Sequence, residues 1–272
     1  MINRMMFVRI FCVLLLLLGS VRGETAEPAK KKLQIFILAG QSNMVGHANP
    51  HTIGTLYHSD DARDKRLIQM VFKNRSGLSK KALSEQLKLT RKIDGLTGGI
   101  SNEKIKAMSA GPKKIALEAE VKKLKEEYEA YKNKIISACV VSDQVYITSI
   151  ADGNRASGPL GVGYGGNRDK IGPEFGFGLS IAQKTDAPIL IIKTSWGGKS
   201  LNYNFRPPSA GPYKLNEKEQ AAKNAADISK NASLNWRMMN EAVHKVLKDL
   251  KKHHPAYDAA VGYDMAGFVW FQ

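Results

Sequence analysis

Four short segments of the chain are apolar almost without interruption: 33–39 (LQIFILA), 144–150 (QVYITSI), 188–193 (PILIIK) and 266–271 (AGFVWF). Three are nearly continuous in Ile, Val, Leu and Phe, the pattern of strands buried on both faces rather than half-solvated ones. Between them, 175–184 and 234–252 read as helices. In the second, Trp236, Met239, Val243, Val246, Leu247 and Leu250 recur at helical spacing. Strands alternating with helices predict an α/β body built on a parallel, helix-covered sheet.

The segment from 60 to about 136 breaks this alternation. Leu117, Val121, Leu124, Tyr128, Tyr131 and Ile135 step by four and three, a heptad seam flanked by the charges of KKLKEEYEAYKNK. A stripe this narrow needs one partner helix, and SKKALSEQLKLTRKI supplies it across the turn GLTGGISN. The pattern predicts a helical hairpin, within an insertion at 60–140, projecting from the α/β body. A dimerisation device is the alternative reading of the same helices, and the oligomeric state stays open.

The N-terminus carries Arg4 and Arg9, then an apolar run from Ile10 to Leu18, then small or neutral residues at Val21 and Gly23. This reads as a signal peptide at 1–23, its apolar core too short to span a bilayer. The mature protein is expected to be secreted or periplasmic, with no membrane association beyond export. It retains Cys139 alone, set in IISACVVSD as a small buried hydrophobe. The formal charge is +16, and the 1–23 segment contributes three arginines and no acids, leaving 16 − 3 = +13. Of this excess, +8 lies between Asp60 and Val140, with 19 Lys/Arg against 11 Asp/Glu. That region has few aromatics and no nucleic-acid motif, so it reads as a solvated basic face and not as a nucleic-acid interface.

Gly161, Gly163 and Gly166 match the spacing GxGxxG, but they run on into Asn167–Lys170 and Gly172–Pro173 instead of opening a helix. The dinucleotide fingerprint needs that helix to hold pyrophosphate. A glycine-rich loop rimming a site is expected, with no nucleotide or other cofactor. In NYNFRPPSAGPY, Tyr203, Arg206 and Tyr213 stand beside a proline-stiffened loop, where they either hold a sugar ring or carboxylate or anchor the loop itself.

The segment IFILAGQSNMVGHA delivers Ser42 off the end of the first strand. At such a turn a serine is either a helix cap or a nucleophile beside backbone N–H groups that favour developing negative charge. GQSNM in this position resembles the first sequence block of the SGNH hydrolases, and more narrowly that of the sialate O-acetylesterase-like domain, carbohydrate esterase family six. IGPEFGFG, LIIKTSWGGKSL and AGFVWFQ resemble later blocks of that family in the same order.

The resemblance covers 33–272 apart from the insertion, and it implies a three-layer αβα sandwich with a flavodoxin-like parallel sheet. It implies a cofactor-free, metal-free hydrolysis of O-acetyl esters on a carbohydrate; separately, the basic charge balance would suit an acidic or acetylated polysaccharide. Ser42 is then the nucleophile, with its own N–H, a backbone N–H at Gly197 or Gly198 and the amide of Gln272 forming the oxyanion hole. Asn43, Tyr203 and Arg206 are expected near the substrate. The sequence departs from the family in lacking an Asp-x-x-His block: none of His47, His51, His58, His244, His253 and His254 stands in that arrangement. It therefore reads as an incomplete copy of a longer esterase, nearly inactive alone, or as a non-catalytic glycan-binding relative.

Overall fold

The computed structural model describes residues 29–72, 80–99, 101–152 and 154–272. The expected signal peptide and positions 73–79 of the expected insertion lie outside the described residues. Each of the four apolar segments forms a strand, and a fifth joins them: β1 (Leu33–Gly40), β2 (Val145–Ala151), β3 (Asn154–Pro159), β4 (Ile189–Ser195) and β5 (Tyr263–Phe271). They form one sheet in the order β3-β2-β4-β1-β5. Pairing is parallel except for β3, which returns antiparallel along β2.

The sheet is therefore mixed, a correction to the parallel sheet expected. The sequence NRASGP has no apolar run to mark it as a strand. It pairs because the chain turns back directly after β2, and only alternate side chains are covered. As an edge strand it tolerates Pro159 at its end.

Among the described residues, ten α-helices connect and flank these strands: α1 (Ser42–Val45), α2 (Ala62–Val71), α3 (Lys80–Thr97), α4 (Glu103–Lys106), α5 (Pro112–Ala138), α6 (Pro173–Ala182), α7 (Glu217–Gln220), α8 (Ala225–Asn231), α9 (Leu234–Leu247) and α10 (Leu250–His253). Alternate residues of β4 go to different helices. Ile189 and Ile191 meet Phe175 and Leu179 of α6, together with Leu38 and Ile147. Leu190 and Ile192 meet Val243 and Val246 of α9 and Leu250 of α10, together with Leu33 and Ile35. Each fully buried aliphatic side chain contributes about 1.5–3 kcal/mol, so β4, buried along its whole length, anchors both clusters.

The expected helix at 234–252 is interrupted. Asp249 leaves the helical region with φ −145° and ψ 59°. The break turns Leu250 into the core and brings His253 Nδ1 to 2.8 Å from Thr148 Oγ1. At the opposite edge β5 pairs with β1 alone, and Tyr263, Met265, Phe268 and Phe271 are exposed along it.

Helices α3 and α5 pack on each other as a hairpin. The seam of α5 grades from half-exposed Leu117 near the tip, through buried Val121 and Leu124, to Ile135, which joins the main core with Cys139. Lys92 pairs with Glu120 across the hairpin at 3.4 Å. At its base Lys132 bonds Asp169 at 2.8 Å, tying the hairpin to the glycine-rich loop. Burial pushes the Cys139 thiol up to about 12, so it is inert at neutral pH.

Gly178 leaves no room for a side chain between helix α6 and the sheet. A Cβ there would lie 2.3 Å from Leu160 Cδ2 and 2.9 Å from Ile191 Cδ1, both in the fully buried core, whereas a Cβ on Gly176 would meet nothing within 4 Å. The two substitutions to alanine should therefore have opposite signs. Gly178→Ala should destabilise by about 1–2 kcal/mol through overpacking. Gly176→Ala should gain up to about 1 kcal/mol of helix propensity. Thermal melts followed by circular dichroism check this as melting temperatures displaced in opposite directions.

Candidate functional site

The candidate site lies at the carboxyl ends of β1 and β4, where Gly40 stands opposite Ser195. Ligands of open α/β sheets bind at this edge. Gly40 has φ +154°, and a Cβ on it would fall 2.0 Å from Phe271 O, so glycine lets β1 turn against β5 here. The Gln41 N–H donates to that same oxygen at 3.2 Å, and the Gln41 carbonyl accepts from Val45 N–H at 2.8 Å. Ser42 thus opens a single helical turn, half-buried at its start and fully buried at Met44 and Val45.

Three donors converge on one oxygen beside Ser42. Gln41 Oε1 accepts from Ser42 N–H at 3.1 Å, from Gly198 N–H at 3.2 Å and from the Ser42 hydroxyl at 3.0 Å. Backbone N–H groups can only donate, so they fix the orientation of the Gln41 amide. The adjacent Gly197 N–H is committed elsewhere, to Asp152 Oδ2 at 2.9 Å. Gly198 therefore aims its N–H at the Ser42 turn, and its φ of +67° is a conformation that other residues adopt only with strain. The arrangement can hold a carbonyl oxygen within reach of a serine hydroxyl.

Other sequence-selected residues have different partners. The Gln272 side-chain amide donates to Lys199 O at 3.2 Å, while its backbone carbonyl accepts from Asn43 Nδ2 at 2.6 Å. Arg206 is spent on its own loop, with Nε on Gly211 O at 2.8 Å, Nη1 on Asn202 Oδ1 at 2.8 Å and Nη2 on Ala210 O. Tyr203 donates to Ile228 O at 2.6 Å and stacks edge-on against Tyr213. Of the two readings of this loop, the observed contacts are those of anchors. The glycine-rich segment is a loop, with Gly163 and Gly165 N–H groups both on Lys170 O and Gly166 N–H on Gly46 O at 2.7 Å.

Beneath the Ser42 turn lies a buried ion pair that pattern reading missed. Lys193 and Glu174 are both fully buried, with Nζ 2.6 Å from Oε2. Nζ also donates to Val45 O at 2.9 Å and Tyr164 O at 2.7 Å, and Glu174 Oε1 accepts from Gly172 N–H at 2.8 Å. Burial pushes Glu174 up and Lys193 down, and each partner's charge opposes that shift in the other. The available signal was a lysine inside the otherwise apolar strand ILIIKTS.

No described histidine accepts a proton from Ser42 Oγ. His254 is buried, its Nδ1 accepting from Ala256 N–H and its Nε2 facing Gln144 O. His253 pairs with Thr148, His51 stacks edge-on against Tyr128, and His244 is exposed on α9. His47 is exposed beside the glycine-rich loop, where a Cβ on Gly166 would lie 2.7 Å from its Cε1. The side chain of His58 lies outside the described residues. Among the described residues no three His, Cys, Asp or Glu are grouped to hold a metal ion, and no helix is long and apolar enough to cross a membrane. Comparison with protein-family models, curated proteins and solved structures finds no match to this chain.

Two expected outcomes follow. Lys193→Met strands the Glu174 carboxyl and should cost about 3–5 kcal/mol, while pairing it with Glu174→Leu should recover most of that; urea unfolding of the three proteins checks it. Burial also lowers His254 from its ordinary value near 6.5. Below that pH the unfolded chain takes up a proton that the folded protein resists, so stability falls on acidification. Between pH 7 and 5.5 the melting temperature should drop more in the wild type than in a His254→Gln variant, which has no such proton to gain.

Proposed function

We propose that this chain is a serine esterase of the SGNH type, with a three-layer αβα body, acting on O-acetyl groups of a carbohydrate. The observation that carries the reading is the convergence of Ser42 N–H and Gly198 N–H on one carbonyl oxygen 3.0 Å from Ser42 Oγ. In the reaction, Ser42 Oγ attacks the acyl carbon, and the carbonyl oxygen takes on negative charge between these two N–H groups. Preorganised donors of this kind are worth about 3–4 kcal/mol each in acyl transfer. The C–O bond to the sugar then breaks, the alcohol leaves with a proton, and water hydrolyses the acyl-serine. The N-terminal charge and hydropathy pattern supports export, and the net charge of 16 − 3 = +13 left after residues 1–23 supports an acidic glycan as substrate.

The absence of a described histidine on Ser42 Oγ favours a second reading, a glycan-binding relative in which the same site holds sugar without cleaving it. Incubation with p-nitrophenyl acetate separates the two. The esterase reading expects p-nitrophenolate release together with one acetyl group on the Ser42 peptide by mass spectrometry, both lost in Ser42→Ala. Equal release by the two proteins, with no acetyl on that peptide, overturns it.

A further inference from the structure

The oxygen between Ser42 N–H and Gly198 N–H belongs to the protein itself. Each of these N–H groups has one hydrogen, and both hydrogens are directed at Gln41 Oε1. The Ser42 hydroxyl spends its hydrogen on the same oxygen. An ester carbonyl needs the same two donors, so it and the Gln41 amide compete for one position. We propose that Gln41 is a built-in plug: its side-chain carbonyl fills the carbonyl-binding position of the Ser42 site and must swing out before an acyl substrate can enter.

Three observations support a side chain that can leave. The backbone of Gln41 is held independently of its amide, by Phe271 O on one side and Val45 N–H on the other. Gln41 is only half-buried, and the polar face of its amide can be rehydrated as it turns outward. The frame beneath does not depend on it, since Lys193 grips Val45 O and Tyr164 O from inside the core.

This inference rests on the esterase reading and extends it to the site's regulation. Acetylation of Ser42 by p-nitrophenyl acetate, followed by mass spectrometry, tests it in the full chain with wild type, Gln41→Ala, Gln41→Glu and Ser42→Ala. Gln41→Ala should acetylate about tenfold faster than wild type. Gln41→Glu keeps the side-chain length and gives the donors a charged acceptor, so it should acetylate about tenfold slower. Wild-type labelling that depends on Ser42, with Gln41→Ala no faster, overturns the plug and leaves the nucleophile standing. Should Gln41→Ala fail to fold, a Gln41→Glu rate equal to or above wild type overturns it equally. Absence of Ser42-dependent labelling in wild type and Gln41→Ala overturns the nucleophile and the plug together.

Discussion

Lys193 carries its ammonium group into the helix-covered side of the sheet, where it meets oxygens from three separate segments. Val45 O belongs to the turn that carries Ser42, Tyr164 O to the glycine-rich loop and Glu174 Oε2 to the first turn of α6. An ammonium has three hydrogens, and all three are used, so the relative placement of these segments is tightly constrained. A four-residue helix has no stability of its own, because nucleating a turn costs more than its first hydrogen bond returns. The position of α1 is therefore imposed from below. Gly46 and Gly172 complete the joint, with a Cβ on Gly46 falling 2.1 Å from the Gly172 Cα. The charge is costly to bury, and its three partners tie the segments of the site's floor to one another.

Above this floor the site is assembled from backbone. β1 and β4 lie side by side and parallel, so the chain leaving Gly40 and the chain leaving Ser195 emerge next to each other. Trp196 N–H bonds Gly40 O at 3.2 Å, and Asp152 takes up the Gly197 N–H, leaving the next residue to face the Ser42 turn. Rigid strands thus set the positions of the two N–H donors, and a glutamine side chain occupies the space between them. Such a division suits electrostatic stabilisation, which depends on dipoles that need no reorganisation when charge appears.

Much of this frame was legible in the sequence, for reasons that also explain what was not. Runs such as ILII exclude water on both faces and announce buried strands, and the four-three spacing of Val121, Leu124 and Tyr128 announces a narrow helical seam. The strand Asn154–Pro159 has no such run, because its pairing comes from chain return and not from burial. The break at Asp249 was hidden because apolar spacing on either side remained helical. Ser42 stood out by its place at a strand end. The roles of Gly197 and Gly198 could not be separated, since the direction of an N–H is a matter of dihedral angles and not of residue type. Arg206 and Tyr203 drew attention as ligand-binding types, and both donate to carbonyls of nearby segments.

The same geometry bears on which half of an esterase cycle such a site can drive. Donors at the carbonyl oxygen lower the barrier to attack, but they do not remove the proton from the attacking hydroxyl. His254 has both ring nitrogens engaged with backbone, and His253 is held by Thr148. In serine proteases an oxyanion hole and binding alone retain roughly 10³–10⁴-fold catalysis over water. On the esterase reading, that is enough to acylate Ser42 from an ester whose leaving group departs readily as an anion. Deacylation is harder, because its nucleophile is water and, among the described residues, no histidine is bonded to Ser42 Oγ to activate it. The first step should therefore outrun the second, and the acyl-serine should accumulate between two donors already shaped to hold its carbonyl.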